Sequence, residues 1–329
     1  MFSCKIYYKN MKLGILCVPL PAEMPKTRMK QSYKHKTALY HLTAFAVVAV
    51  WGSTFVLTKL LLLWGLTPAS IFTIRFVMAY MVLLLLSPFG KRIRWFADNV
   101  KDELLMLGLG VTGGSLYFLT ENTAMNYTST TNTSLIVSMC PLCAALVISL
   151  FYKSERLKGV QVLGTLIAAA GAAIVVLNGQ FVQHLSPLGD ALAFGACLSW
   201  AFYSLLMIPA SQRYDTLFIT RKVFFYGLVS MIPYYIVFRH DLPPVPIVVQ
   251  PKVLITLLLL GCVASALCFF AWNWAIKKLG AIVTTNYGYL NPVVTIVCAW
   301  LVLSERITGW FLVGTVLILS GMYLSGRRK

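Results

Sequence analysis

Between Thr37 and Gly326 the chain alternates long apolar stretches with short polar connections. Runs of 18 or more nearly uncharged residues recur, and each is long enough to cross a hydrocarbon core of roughly 30 Å. The pattern predicts spans at 38–61, 69–88, 104–123, 128–151, 159–177, 188–209, 216–238, 253–275, 280–302 and 308–326. Helices fit better than the strands of a barrel, which would alternate over about 10 residues with a polar lumen face. "LIAAAGAAIVVL" and "VLITLLLLG" do not alternate.

Composition sharpens this picture. Of 329 residues, 59% are hydrophobic and 12% are charged, against about 25% charged in a soluble domain. A net charge of +18 could suggest nucleic acid, but its placement argues against that. The basic residues cluster in the first 36 positions and in alternate short loops, the arrangement of a membrane chain with its positive side inside. Assigning the N-terminus to the inside puts 21 Lys and Arg there and only Arg239, Lys252 and Arg306 outside. Both termini are therefore expected to be cytoplasmic in a multi-pass cell-membrane protein.

Residues 1–37 read as a basic cytoplasmic tail. "MKLGILCVPL" has the start of a signal peptide, but the cationic segment after it would resist export. Its first 28 residues could instead be an upstream extension of a chain that starts at Met11 or Met29.

The chain repeats itself. "CPLCAALVISLFYKSER" (140–156) is echoed by "NPVVTIVCAWLVLSER" (291–306), each with a proline inside an apolar run. "GVTGGSLYFLTENTA" (110–124) aligns without gaps on "GCVASALCFFAWNWA" (261–275), matching Gly110 to Gly261, Phe118 to Phe269 and Asn122 to Asn273. "AVVAVWGSTF" (46–55) echoes "FGACLSWAFY" (194–203), pairing Trp51 with Trp200. The repeats run over 38–178 and 187–326, with an external linker at 179–186 and a tail at 327–329. Five spans per repeat is an odd number, so the second repeat enters the membrane from the opposite face. Such inverted repeats allow alternating access, because the two halves can exchange conformations. The prediction is an all-α membrane protein of ten transmembrane helices, arranged as two inverted-topology five-helix repeats.

These motifs, with "GDALAFGACLSWAFYSLL" (189–206) and "AVWGSTFVLTKLLL" (50–63), resemble the drug/metabolite transporter superfamily in its ten-span EamA-type branch. The resemblance covers 38–326. It implies ten helices around a central cavity and export or exchange of small metabolites, often amino acids. Asn291 stands where members often carry Glu, and Tyr152-Lys153 replaces the usual Leu-Gly, which leaves the substrate open.

Candidate site residues follow from what hydrocarbon penalises. Pro141 and Pro292 interrupt matching spans, and matching interruptions point to a central binding site. Trp51 and Trp200 lie at mid-span, where a belt role is unavailable, so they line the cavity or pack between helices. Polar groups before both prolines and on neighbouring spans (Asn122, Asn132, Ser138, Tyr203, Asn273, Asn286 and Tyr289) form a candidate polar lining, with interhelical hydrogen bonds as the alternative. Arg75 and Glu121 fall at a similar depth and predict an ion pair or an outer gate with a substrate-carboxylate contact. Arg221 and Lys222 put cations near the inner end of span seven without an obvious acid.

The cysteines within spans, including the C-x-x-C of 140–143, read as small packing residues. There is no catalytic set, metal motif or nucleotide-binding motif in the sequence, so no cofactor and no ATPase domain in this chain are expected. The partners expected are a small-molecule substrate, membrane lipid and a coupling proton or ion, with Glu121 the one carboxylate placed for proton work, and no nucleic acid. The function expected is secondary export of a small carboxylate-bearing metabolite such as an amino acid. A channel or uncoupled facilitator of the same architecture is the competing reading.

Overall fold

The computed structural model describes residues 2–9, 12–19, 26–89, 94–128, 130–152, 158–177, 186–238, 245–303 and 309–325. Two compact units are present, residues 1–40 and 41–329. In the first, strands β1 (Phe2–Lys9) and β2 (Lys12–Pro19) pair antiparallel, from Phe2 opposite Pro19 to Lys9 opposite Lys12. This hairpin departs from the all-α expectation. Its Phe, Ile and Tyr residues suit a pleated strand.

The regular structure described in the second unit is all helical, as an apolar environment demands, because a helix satisfies its own backbone. Helix α1 (Lys26–Leu63) is followed by α2 (Pro68–Leu86), which begins on a reciprocal cap between Thr67 and Ser70. Next come α3 (Val100–Gly110), capped by the Asn99 side chain, and α4 (Leu116–Tyr127), joined by a π-helical stretch at Val111–Ser115. After them lie α5 (Thr130–Val137), α6 (Cys140–Phe151) and α7 (Gly159–Leu177).

The second repeat runs through α8 (Pro187–Arg213), α9 (Thr216–Val229), α10 (Ile232–Val237), α11 (Val245–Val248), α12 (Pro251–Leu258) and α13 (Cys268–Leu279). A second π-helical stretch, Leu259–Leu267, joins α12 to α13. In the gap-free register of the two repeats it covers the counterpart of the first one. Helix α14 (Ala281–Thr285), a 3-10 segment (Asn286–Leu290), α15 (Asn291–Leu303) and α16 (Gly309–Ser325) complete the chain. Gly280, at φ 90°, makes the turn from α13 into α14, a conformation that favours glycine.

Among the described residues five helices are long and apolar enough to cross a membrane: Thr37–Leu63, Pro68–Leu86, Val100–Tyr127, Pro187–Arg213 and Pro251–Leu279. The protein is thus a multi-span, helical membrane protein. Three predicted spans are broken rather than continuous. The 128–151 span divides into α5 and α6, the 216–238 span into α9 and α10, and the 280–302 span into α14, the 3-10 segment and α15. Each break sits just before a proline (Pro141, Pro233 or Pro292) that occupies the first turn of the next helix. There its missing N–H leaves no bond unmade.

Glycines set the closest helix approach. A Cβ on Gly321 would lie 2.4 Å from the Ala168 amide nitrogen, and one on Gly171 2.7 Å from the Gly314 carbonyl. Small residues thus bring α7 and α16 into backbone contact, the packing expected where lipid competes for apolar surface.

Candidate functional site

Both repeats contribute to one chamber at the centre of the second unit. Helix α1 supplies Trp51, α2 Arg75, α4 Tyr117, Phe118 and Glu121, and α8 Trp200. From the second repeat α13 adds Phe269 and Trp272, and the start of α15 adds Asn291. Pro141 and Gly288, from the two proline breaks, meet at the wall: a Cβ on Gly288 would lie 3.2 Å from Pro141 Cγ.

The walls are aromatic. Trp51 and Trp200, the matched tryptophans, touch edge to face with centroids 5.6 Å apart at 87°. Trp51 also lies 5.0 Å from Trp272 and 5.4 Å from Phe269, and its Nε1 donates to the Ala264 carbonyl at 2.8 Å. Trp51 and Trp200 therefore both line the chamber and pack between helices. The chamber has a volume of about 60 Å³, well below the roughly 300–1,000 Å³ of ligand pockets.

Charge enters the chamber at two points. Arg75 is buried, with its guanidinium 4.7 Å from the centroid of the Phe118 ring and its Nε donating to Ser265 Oγ at 3.3 Å. Its two terminal nitrogens make no hydrogen bond among the described residues. Glu121 is also buried and accepts from the Tyr117 hydroxyl at 2.8 Å. The direct Arg75–Glu121 ion pair expected from the sequence is not formed. Ser265 and the Phe118 face hold the guanidinium, while Tyr117 holds the carboxylate. Two further wall groups, Trp272 Nε1 and Asn291 Oδ1, are buried without a hydrogen bond to protein. Lys59 donates to the Met125 carbonyl at 3.0 Å.

Several expected lining residues stand one step off the wall. Asn122 follows Glu121, Asn273 follows Trp272, Ser138 follows Val137, Asn286 follows Thr285, and Tyr289 follows Gly288; in each case the earlier residue lines the chamber and the later one does not. Successive helical side chains diverge by about 100°, which turns these groups into the helix packing. There Tyr203 donates to Asn273 Oδ1, and Asn273 Nδ2 donates to Thr220 Oγ1 at 3.0 Å. Tyr203 backs the Trp200 ring at 5.0 Å instead of reaching the chamber. Asn286 Nδ2 donates to Ser325 Oγ at 2.8 Å. Asn122 and the Tyr289 hydroxyl are buried without a hydrogen bond to protein. Pro292 is buried beyond the wall, whereas Pro141 is part of it. The Asn132 side chain and the pairs Glu155–Arg156 and Glu305–Arg306 lie outside the described residues.

Ion pairs tie the two repeats together at one end of the bundle. The first turn of α3 supplies Asp102 and Glu103. Asp102 accepts from Arg213 at 2.6 Å and from the Tyr214 hydroxyl at 2.8 Å. Glu103 pairs with Lys222 and accepts from the Tyr226 hydroxyl. Burial and the bond to Asp102 push the Tyr214 phenol above its ordinary pKa. Glu103 corrects the expectation for Lys222, whereas Arg221 has no acid within 4.0 Å among the described residues. The signal was present in the Asp-Glu pair of α3, which lies just outside the predicted span.

Comparison with known proteins settles the class. A model of the EamA-like transporter family matches residues 38–177 and again 187–327. The chain belongs to that family. Relatives include an Archaeoglobus fulgidus protein named "Uncharacterized transporter", 25% identical over 88% of this chain and 98% of its own. Another, from Escherichia coli K12, is named "Probable amino-acid metabolite efflux pump" and is 24% identical over 86% of this chain and 93% of its own. A "Probable terminal-alkyne amino-acid exporter" of Streptantibioticus cattleyicolor is 27% identical over 69% of this chain and 74% of its own. A crystal structure with 18% identity superposes at a TM-score of 0.68, covering 87% of this chain and 94% of that one, which shows a shared fold. This EamA-like protein is a membrane transporter of a small molecule and not an enzyme.

Proposed function

We propose that this EamA-like transporter exports a small carboxylate-bearing metabolite, an amino acid foremost, by alternating access. The observation that carries the reading is the chemistry of the central chamber. Arg75 has unbonded guanidinium nitrogens on the same chamber as Glu121, between aromatic walls from both repeats. A carboxylate suits the bidentate fork of arginine. An ammonium group suits Glu121 and the faces of the tryptophans. The Trp272 N–H and the Asn291 oxygen supply one further donor and one further acceptor. The printed names of two relatives, "Probable amino-acid metabolite efflux pump" and "Probable terminal-alkyne amino-acid exporter", agree with this chemistry.

The proposed architecture is ten spans in two inverted five-helix repeats with both termini cytoplasmic, and Glu121 is the residue that would carry a coupling proton. The inverted repeat favours a carrier that opens to one side at a time over a standing pore. Counterflow in proteoliposomes tests this. Preloaded amino acid should accelerate uptake of the labelled one across a substrate panel. Uptake indifferent to trans substrate would assign the protein to the channel reading instead.

A further inference from the structure

A second and larger cavity, about 870 Å³, lies outside the central chamber. It opens between the end of α2, the turn from α8 to α9, and α13. Its walls carry Arg94, Arg213, Arg221 and Lys277. Arg94 is paired with Asp98, and Arg213 with Asp102. The other two cations have no acid. Arg221 is only 4% exposed, yet it bonds to Ser87 Oγ at 2.9 Å and to the Arg94 carbonyl, with its plane 5.0 Å from the Trp95 ring. Lys277 donates to the Tyr214 carbonyl at 2.8 Å. Neither lies within 4.0 Å of a carboxylate among the described residues. Asp215 also lines the cavity, without an ion pair, so the uncompensated cations outnumber it. A buried guanidinium without a counter-charge is expensive unless an anion completes it.

The apolar part of the wall indicates which anion. Phe270, Trp274 and Lys277 are spaced at i, i+4 and i+7 on α13 and share one face. They run from apolar to cationic toward the helix end. That is the order of a phospholipid, acyl chain first and headgroup at the membrane surface. A soluble phosphate would use the cations and leave the aromatic stripe unexplained. We propose that this cleft holds the phosphate group of an anionic phospholipid, wedged between the two repeats. Basic pockets between membrane helices recognise headgroups in this way. The assignment is independent of the transported substrate.

Native mass spectrometry of the delipidated full chain, titrated with phosphatidylglycerol or phosphatidylcholine, tests it. Phosphatidylglycerol should be retained preferentially. Lys277→Gln should weaken it about five-fold, the effect of one cation near a headgroup, and Arg221→Gln should weaken it further. Lys278→Gln, next along α13 but outside the cleft, should leave binding unchanged. Lys277 makes its one described bond to a backbone carbonyl, so its variant should fold even if Arg221→Gln does not. Equal retention of both lipids, or equal loss with Lys278→Gln, would overturn the proposal. Displacement of the lipid by millimolar inorganic phosphate would overturn it in favour of a soluble anion.

Discussion

Replacing Arg75 by Met should separate substrate binding from stability. The side chain's contacts with the protein are modest: one bond at 3.3 Å to Ser265 and a guanidinium 4.7 Å from the Phe118 ring centroid. A hydrogen bond from a charged donor contributes about 1.5–3 kcal/mol, and a cation–π contact about 0.5–2 kcal/mol. Against these stands the desolvation of a buried guanidinium with no acid in contact, several kcal/mol in effective terms. The balance predicts that Arg75→Met leaves thermal stability in detergent unchanged or raises it. Substrate affinity should fall steeply. Losing one member of a desolvated charge pair costs about 2–5 kcal/mol, or roughly 30-fold to several-thousand-fold in Kd at 1.4 kcal/mol per decade. Arg75→Lys should fall between, because it keeps the charge and loses the fork. The assays are calorimetric binding of an amino-acid panel and a thermal melt on the same preparations. A large drop in melting temperature with affinity intact would refute the reasoning and make Arg75 a structural residue.

Other residues carry opposite expectations. Glu103→Gln leaves Lys222, 6% exposed, beside a neutral amide, and should destabilise by about 3 kcal/mol, the low end for a broken buried pair because Glu103 itself is partly exposed; a chemical melt reads this, and an unchanged midpoint would remove the pair from the energetics. Gly321→Ala forces a methyl to within 2.4 Å of backbone on α7 and should destabilise by about 1–3 kcal/mol, read as a lower yield of monodisperse protein. Trp51→Ala and Trp200→Ala should each weaken substrate binding in the same titration while the protein still inserts; normal transport by both would leave them as packing residues only. Glu121→Gln should abolish any dependence of liposome flux on an imposed pH gradient, and a gradient response that survives would move proton coupling elsewhere.

The apolar periodicity made the helical membrane fold legible, and the internal echo found the matched residues that meet in the structure. Trp51 against Trp200 is the clearest case. Facing was less legible, for a local reason. The π-helical stretches at Val111–Ser115 and Leu259–Leu267 place more residues in a turn than a regular helix does, and every side chain after them is rotated. Glu121 and Trp272 therefore reach the wall, while Asn122 and Asn273 turn into the packing. The amides satisfied either reading by chemistry alone, since a polar group in a membrane helix can serve a cavity or a neighbouring helix. Breaks before Pro141 and Pro292 shift the facing of Ser138, Asn286 and Tyr289 in the same way. Asp102 and Glu103 escaped notice because they belong to the first turn of α3, outside the apolar window.

The two repeats share a scaffold but not a charge pattern, and in the inverted-repeat reading this would bias their exchange. Arg75 of α2 and Arg221 of α9 occupy like settings, each followed two residues later by Val and five later by Tyr. Each donates across to a serine of the other repeat, Ser265 and Ser87 respectively. Around Arg221 the repeats are also tied by Asp102 with Arg213 and by Glu103 with Lys222. In the register that matches Gly110 to Gly261, the counterparts of Asp102 and Glu103 are Val253 and Leu254. The opposite end therefore cannot form the same ionic links when the repeats exchange conformations. In the inverted-repeat reading, the state closed at the α3 end is the favoured one without substrate, and opening that end requires breaking both pairs. Neutralising Asp102 and Glu103 together should shift the population toward the other state. Distance measurements between spin labels at positions 97 and 212 would show this as a longer second component absent from the parent protein. A single unchanged distance would mean that the pairs stabilise the fold without selecting between its states.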